Sequence, residues 1–294
     1  MELRSILDQI DAVSISKEVT LTQLKHEEDN EPYQVWKMDT PGAAYILKEA
    51  KGNEKEVYSS VLTASCSCAP ALRQIVETEE KTYLLMDYIE GEDLCKCDRR
   101  KLQLALDALI SLQEKTWEME ATGQWEGSFH NGFLQRQNRG KYLHDPLLEQ
   151  AYEKFLDVFL SVPRTLCHDD LLPFNIICGK EKAVMIDWEY AGILPYPTSF
   201  ARLIAHTEEN RNALFYMTEA DKRYAIAYYY DRLLKGKGIS YPHWCNTLEY
   251  FLFYEYCEWV FVGHRYQATD GLYYKKYLPL AKQQAARIMQ MEEP

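Results

Sequence analysis

Over the first ninety residues, apolar and polar positions alternate in short runs. Val19-Thr20-Leu21-Thr22-Gln23-Leu24, Gln34-Val35-Trp36-Lys37-Met38 and Ala43-Ala44-Tyr45-Ile46-Leu47-Lys48 are rich in β-branched, aromatic and apolar residues, and they predict three consecutive strands. Asp39-Thr40-Pro41-Gly42 places turn residues between the last two, which predicts an antiparallel hairpin. The period then lengthens. Val57, Tyr58 and Val61 follow Glu54 at helical spacing and predict a helix over 54–62. Two further strands are expected over 71–76 and 82–86, and Glu90-Gly91-Glu92-Asp93 breaks the pattern.

From Arg99 the chain reads as mostly helical. Leu102, Leu104, Leu106, Leu109, Ile110 and Leu112 predict an amphipathic helix reaching about Glu118. Residues 122–146, with Gly123, Gly127, Gly132 and Gly140 among several Asn and Gln, read as a long loop or insertion near a site. Helix returns over Tyr152 to Leu160. Two apolar runs ending at Ile177 and beginning at Ala183 flank Gly179-Lys180-Glu181-Lys182, a hairpin signal inside the helical half. The pattern therefore predicts an α+β chain with a small strand-rich lobe over 1–89 and a larger helical lobe over 90–294, joined near Asp87 to Gly91. Two lobes imply a cleft, where ligands usually sit.

Composition changes this picture only slightly. The 294 residues are 47% hydrophobic, ample for a sizeable core. Acidic residues number 45 against 33 basic, a net charge of -12 that argues against a nucleic-acid partner. It mildly favours a cationic ligand, although solubility alone accounts for many acidic surfaces. The N-terminal MELRSILDQIDAVS lacks the apolar core of a signal peptide, and Phe251 to Val262 is interrupted by Glu255 and Glu258. A cytoplasmic protein without a membrane partner is expected. Its eight cysteines then read as reduced thiols. Cys66 with Cys68 and Cys95 with Cys97 are spaced more tightly than the usual zinc pattern, so packing or surface positions are the default.

One stretch asks for chemistry. Leu166-Cys167-His168-Asp169-Asp170-Leu171-Leu172-Pro173-Phe174-Asn175-Ile176-Ile177 sets four polar side chains between apolar edges, and buried polar groups need partners or a ligand. His168-x-Asp170-x-x-x-x-Asn175, with Asp187 beyond the next turn, offers one carboxylate to orient a hydroxyl nucleophile and two oxygen ligands for magnesium. Phosphoryl transfer needs that combination. Lys48 ends the third expected strand, and Glu54 on the following helix could turn inward to pair with it, although Glu56 is close by.

In these residues the chain resembles the aminoglycoside phosphotransferase and choline kinase family, which has the bilobal protein-kinase-like fold. The family pattern is His-Gly-Asp-x-x-x-x-Asn followed by Ile-Asp-Trp-Glu. Here it stands as His168-Asp169-Asp170 through Asn175, then Ile186-Asp187-Trp188-Glu189. The resemblance runs from about Val19 to Tyr277 and is most specific in the central hairpin. It implies ATP and Mg2+ as cofactors, Asp170 as the residue that orients the acceptor hydroxyl or takes its proton, and Asn175 and Asp187 as metal ligands. Lys48, oriented by Glu54, would hold the phosphates. The connector after Met86 would bind adenine through the main chain of Asp87 to Ile89, and His168 would support the catalytic loop.

Three departures stand out. Asp169 replaces the family glycine, and His26-Glu27-Glu28-Asp29-Asn30-Glu31 puts carboxylates where a phosphate-covering loop should offer free N–H groups. Ser199 stands where the family commonly has an aspartate. Glu255, Glu258 and Trp259, within an aromatic-rich segment, are candidate acceptor-binding residues that could take an ammonium group, against the plainer reading of an amphipathic core helix. The resulting expectation is a small-molecule kinase acting on a hydroxyl of a cationic compound of the aminoglycoside, choline or amino-alcohol type. The alternatives are a catalytically silent kinase-fold binding or structural protein, and, third, a protein kinase, against which Asp187-Trp188-Glu189 stands where Asp-Phe-Gly is expected.

Overall fold

A computed structural model describes residues 6–10, 19–25, 30–63 and 66–291. Its N-terminal part is an antiparallel sheet of β1 (Thr20–Lys25), β2 (Pro32–Asp39), β3 (Ala44–Glu49), β4 (Leu72–Glu77) and β5 (Thr82–Asp87), in the order β1-β2-β3-β5-β4. Helix α1 (Glu54–Ser60) connects β3 to β4. Tyr83 and Leu85 on β5 pack with Trp36, Met38, Leu47, Ile6 and Ile10, whereas the alternate residues Leu84 and Met86 join Val57 and Tyr58 of α1. Both faces of β5 are thus covered, which is why it reads as a continuous apolar run.

The helical part begins with α2 (Arg99–Lys115), whose cap Asp98 accepts the Lys101 N–H at 2.8 Å. Its expected apolar face is buried, with Leu102, Leu106, Leu109 and Leu112 in the main core. Each such leucine contributes about 1.5–3 kcal/mol of burial. Further along lie α3 (Ser128–Gly140), α4 (Pro146–Ser161), α5 (Pro197–Ala205), α6 (Glu219–Tyr229), α7 (Tyr241–Arg265) and α8 (Leu272–Ile288). Two small sheets cross this region. One pairs β7 (Arg164–Cys167) with β10 (Gly192–Pro195), and the other joins β6 (Glu92–Asp93), β8 (Ile176–Cys178) and β9 (Ala183–Met185). The β8–β9 pair is the expected hairpin.

Two expectations are corrected. The long loop over 122–146 is largely helix α3, and two of its glycines mark close approach. A Cβ on Gly132 would lie 2.7 Å from Leu194 of β10, and one on Gly140 2.9 Å from the Tyr152 ring of α4. Those contacts seat the helix against its neighbours. The cysteines are not all reduced: Cys66 and Cys68, whose Cα atoms lie 5.5 Å apart, form a disulfide, and the other six are free thiols. Among the described residues no group of three or more His, Cys, Asp or Glu could hold a metal ion, and no helix is long and apolar enough to cross a membrane.

Candidate functional site

The loop between β7 and β8 is fixed from beneath by His168. Its backbone N–H donates to Ser199 Oγ at 2.9 Å, and its Nε2–H donates to the Ile186 carbonyl at 2.7 Å. Ser199, at the start of α5, therefore supplies support at the position of the family aspartate. The His168 ring packs against Trp188 at 4.6 Å, and burial lowers its pKa to about 4, so it is neutral near pH 7 and binds through its shape and its N–H.

Asp169 sits at φ 56°, a backbone region in which glycine is more at ease. Its carboxylate meets the buried guanidinium of Arg136 at 2.5 Å, and Arg136 lies over the rings of Phe159 and Tyr254 at 5.0 and 4.8 Å. The added negative charge next to Asp170 is thereby paired within the fold. Asn175 donates from Nδ2 to the Asp170 carbonyl at 2.9 Å, its Oδ1 has no hydrogen-bond partner among the described residues, and its own carbonyl accepts the Ile186 N–H at 2.9 Å. One residue on, Asp187 turns sharply at φ 65°.

Lys48 joins the sheet to this loop. Its Nζ lies 2.6 Å from Glu54 Oε1 and 2.5 Å from Asp187 Oδ1, so Glu54 and not Glu56 is its partner. Burial acts to lower the Lys48 pKa, and the two carboxylates outweigh it and raise it; burial raises Glu54 against the opposing pull of Lys48. The turn before α1 docks on the same segment. Asn53 donates its N–H to the Glu189 carbonyl at 2.9 Å and its Nδ2 to the Ala191 carbonyl at 2.7 Å. Gly52 at φ 48° allows this, because a Cβ there would collide with the Glu189 carbonyl.

In the connector, Met86 is buried and the N–H groups of Asp87 and Tyr88 are taken by the carbonyls of Ala71 and Ala44, each at 3.0 Å. Arg73 grips the Asp87 carboxylate at 2.6 and 2.7 Å. The Ile89 main chain carries no hydrogen bond among the described residues. Of the acidic stretch in the first hairpin, residues 26–29 lie outside the described residues.

Beside Asp170 opens a cavity of about 300 Å³ lined by Gln135, Arg139, Asp169, Asp170, Tyr190, Arg202, Tyr254, Glu255 and Glu258. Arg202 donates from Nε and Nη2 to Asp170 Oδ1 at 3.1 and 2.7 Å and from Nη1 to Glu255 Oε2 at 2.8 Å. Arg139 bonds Glu258 and, at 2.7 Å, the Tyr254 hydroxyl. Burial pushes the Asp170 carboxyl up while Arg202 opposes the shift. For Glu255, burial also acts upward, and Arg202 and His206 overcome it to hold the group at about 2. Trp259 is not in this lining: it stacks on Tyr273 at 4.3 Å and Tyr277 at 6.0 Å, between α7 and α8.

The phosphotransferase enzyme family matches this sequence over residues 20–233. The chain belongs to that family. No curated protein matches. Among solved structures, the chain is similar to a choline/ethanolamine kinase family protein from Mesorhizobium loti, at 14% identity and TM-score 0.63, covering 99% of this chain and 95% of that one. It is also similar to an aminoglycoside phosphotransferase from Alicyclobacillus acidocaldarius, at 13% identity and TM-score 0.55, covering 96% and 92%. A third, the amicoumacin kinase hAmiN in complex with AMP-PNP, Ca2+ and Ami, is 13% identical at TM-score 0.52, covering 98% and 95%. At these identities the likeness is one of fold.

Within this phosphotransferase-family frame, sequence reasoning missed Gln135, Arg136, Arg139, Tyr190, Arg202 and His206 around the cavity. Phe129, Phe133 and Arg136 recur at helical spacing, a signal that could have found α3.

Proposed function

We propose that the chain is an ATP- and magnesium-dependent phosphotransferase that moves the γ-phosphate to a hydroxyl of a small cationic molecule of the choline, amino-alcohol or aminoglycoside type. The observation that carries this reading is Lys48, held at 2.6 Å by Glu54 and 2.5 Å by Asp187. An ammonium so held faces the segment that would carry metal and phosphate. In this reading residues 1–89 hold the nucleotide, with adenine against Met86, Asp87 and Ile89, and residues 90–294 hold the acceptor. Asn175 and Asp187 offer an amide oxygen and a carboxylate oxygen, hard donors that suit Mg2+, whose charge would neutralise the phosphates. Lys48, oriented by Glu54, would hold the phosphate oxygens, Asp170 would orient the acceptor hydroxyl and receive its proton, and His168 keeps the loop in place. Glu255 and Glu258, each already shared with an arginine, would meet an ammonium group beside Arg202 and Arg139, with Tyr190 and Tyr254 as aromatic walls.

The test is transfer of labelled phosphate from ATP to a panel of amino alcohols and aminoglycosides, by wild type and Asp170→Ala. Wild-type transfer lost in the variant supports the reading; equal transfer by both removes Asp170 from it. A second reading, a kinase-fold binding protein without catalysis, draws on the pairing of Asp170 with Arg202 at 2.7 Å and on the acidic first hairpin. It expects the fold to be kept and nucleotide to bind poorly.

A further inference from the structure

We infer that Arg202 is a positioning residue for the phosphoryl-transfer step: it fixes Oδ1 of Asp170 and so assigns Oδ2 to the acceptor hydroxyl. The inference rests on the reading that Asp170 serves that hydroxyl. Two donors of one guanidinium, Nε at 3.1 Å and Nη2 at 2.7 Å, converge on the single atom Oδ1. A carboxylate otherwise turns broadly about its last torsion, so a planar fork on one oxygen selects one orientation.

Arg202 is itself held by a chain of side chains running away from the cavity. Its Nη1 donates to Glu255 Oε2 at 2.8 Å, and the same oxygen accepts from His206 Nε2 at 3.1 Å. The His206 Nδ1 accepts from the Tyr277 hydroxyl at 2.8 Å. Arg202 Nη1 also lies 3.3 Å from His206 Nε2, so Arg202, His206 and Glu255 close on one another, with the ionised Glu255 oxygen accepting from both neighbours. This chain of side chains ties the Asp170 loop to α5, α7 and α8. An arginine needed for stability alone would be satisfied by Glu255; the two further bonds to Oδ1 act on the carboxylate nearest the proposed chemistry. A misplacement of about 1 Å in a reacting group costs on the order of 100-fold in rate, which sets the size of the expected effect.

The test uses magnesium-dependent ATP hydrolysis, in which water takes the place of the acceptor, on the full chain. Arg202→Ala is expected to lower turnover by about 100-fold while affinity for a non-hydrolysable ATP analogue stays within about twofold. Added guanidinium ion should restore turnover in part to Arg202→Ala and not to Asp170→Ala. Arg202→Lys, whose ammonium cannot span Oδ1 and Glu255 with a planar fork, should remain low, and Glu255→Gln should lose about tenfold by loosening Arg202. These two keep the claim testable should Arg202→Ala fold poorly. Turnover near wild type in Arg202→Ala or Arg202→Lys overturns the inference, as does an unrescued loss matched by equal loss of analogue affinity. Hydrolysis unchanged in Asp170→Ala overturns the underlying role of Asp170 and the inference with it, and a wild type that binds no analogue overturns the kinase reading itself.

Discussion

The two sides of the candidate site are built differently. On the nucleotide side, Lys48, Glu54, Asn175 and Asp187 come from three short stretches; the Lys48–Glu54 and Asn175–Asp170 contacts are local, and the single Lys48–Asp187 ion pair ties the sheet to the loop from far along the chain. On the cavity side, Gln135, Arg139, Arg202, Glu255 and Glu258 come from three helices far apart in sequence. Each of their charges that forms an ion pair does so with another distant residue. A site made of close-spaced parts keeps its geometry through backbone turns, whereas one made of distant helices keeps it through packing and charge pairing.

The largest effect expected from this contrast lies where the two sides meet. Asp170→Ala should lower phosphate transfer by about 1,000-fold, roughly 4 kcal/mol of barrier, with the fold kept. Near-wild-type transfer together with an unchanged melting point would remove the shared centre. Next, Asp169→Gly relieves the strained backbone but leaves Arg136 buried without its partner, and a loss of about 3 kcal/mol in urea unfolding is expected. A stabilised variant would show that backbone strain outweighs the pair.

The cavity side also carries a pH signature. Glu255 is held at about 2 in the fold against an ordinary value of about 4.3, so its contribution is present above pH 4.3 and lost as pH falls toward 2. Facing it are Arg202 from α5, His206 beyond it, Tyr277 from α8, Asp170 from the loop and Glu258 on its own helix. Wild type should lose about 2–3 kcal/mol more than Glu255→Gln between pH 5 and pH 2.5, read from urea midpoints. Parallel curves for the two proteins would contradict the pairing. The smallest expected effect is on helix seating: Gly132→Ala should cost about 1–2 kcal/mol, because the new methyl meets Leu194 at 2.7 Å. An unchanged midpoint would mean that β10 yields.

The same contrast explains what was legible in the sequence. The five strands, α1 and the β8–β9 hairpin followed from alternation and turn residues, since their side chains face one local layer. His168, Asp170, Asn175 and Asp187 were legible because the chain itself spaces them. Helix α3 was not, because Gly132 and Gly140 serve contacts with Leu194 and Tyr152 that lie far away in sequence. Arg202 and His206 carried no local sign of their partners, and Glu255 and Glu258 were picked out without the arginines that neutralise them. Trp259 shares their helix yet turns toward Tyr273. The Cys66–Cys68 bond likewise depends on how one loop folds back.

Calorimetric titration with a non-hydrolysable ATP analogue is the decisive test of a working nucleotide site at Lys48 and Asp187. It is to be run with and without magnesium on wild type and Asp187→Ala. Wild type is expected to bind in a magnesium-dependent way that the variant loses. Absence of binding by wild type, or binding that neither magnesium nor the substitution alters, would contradict it.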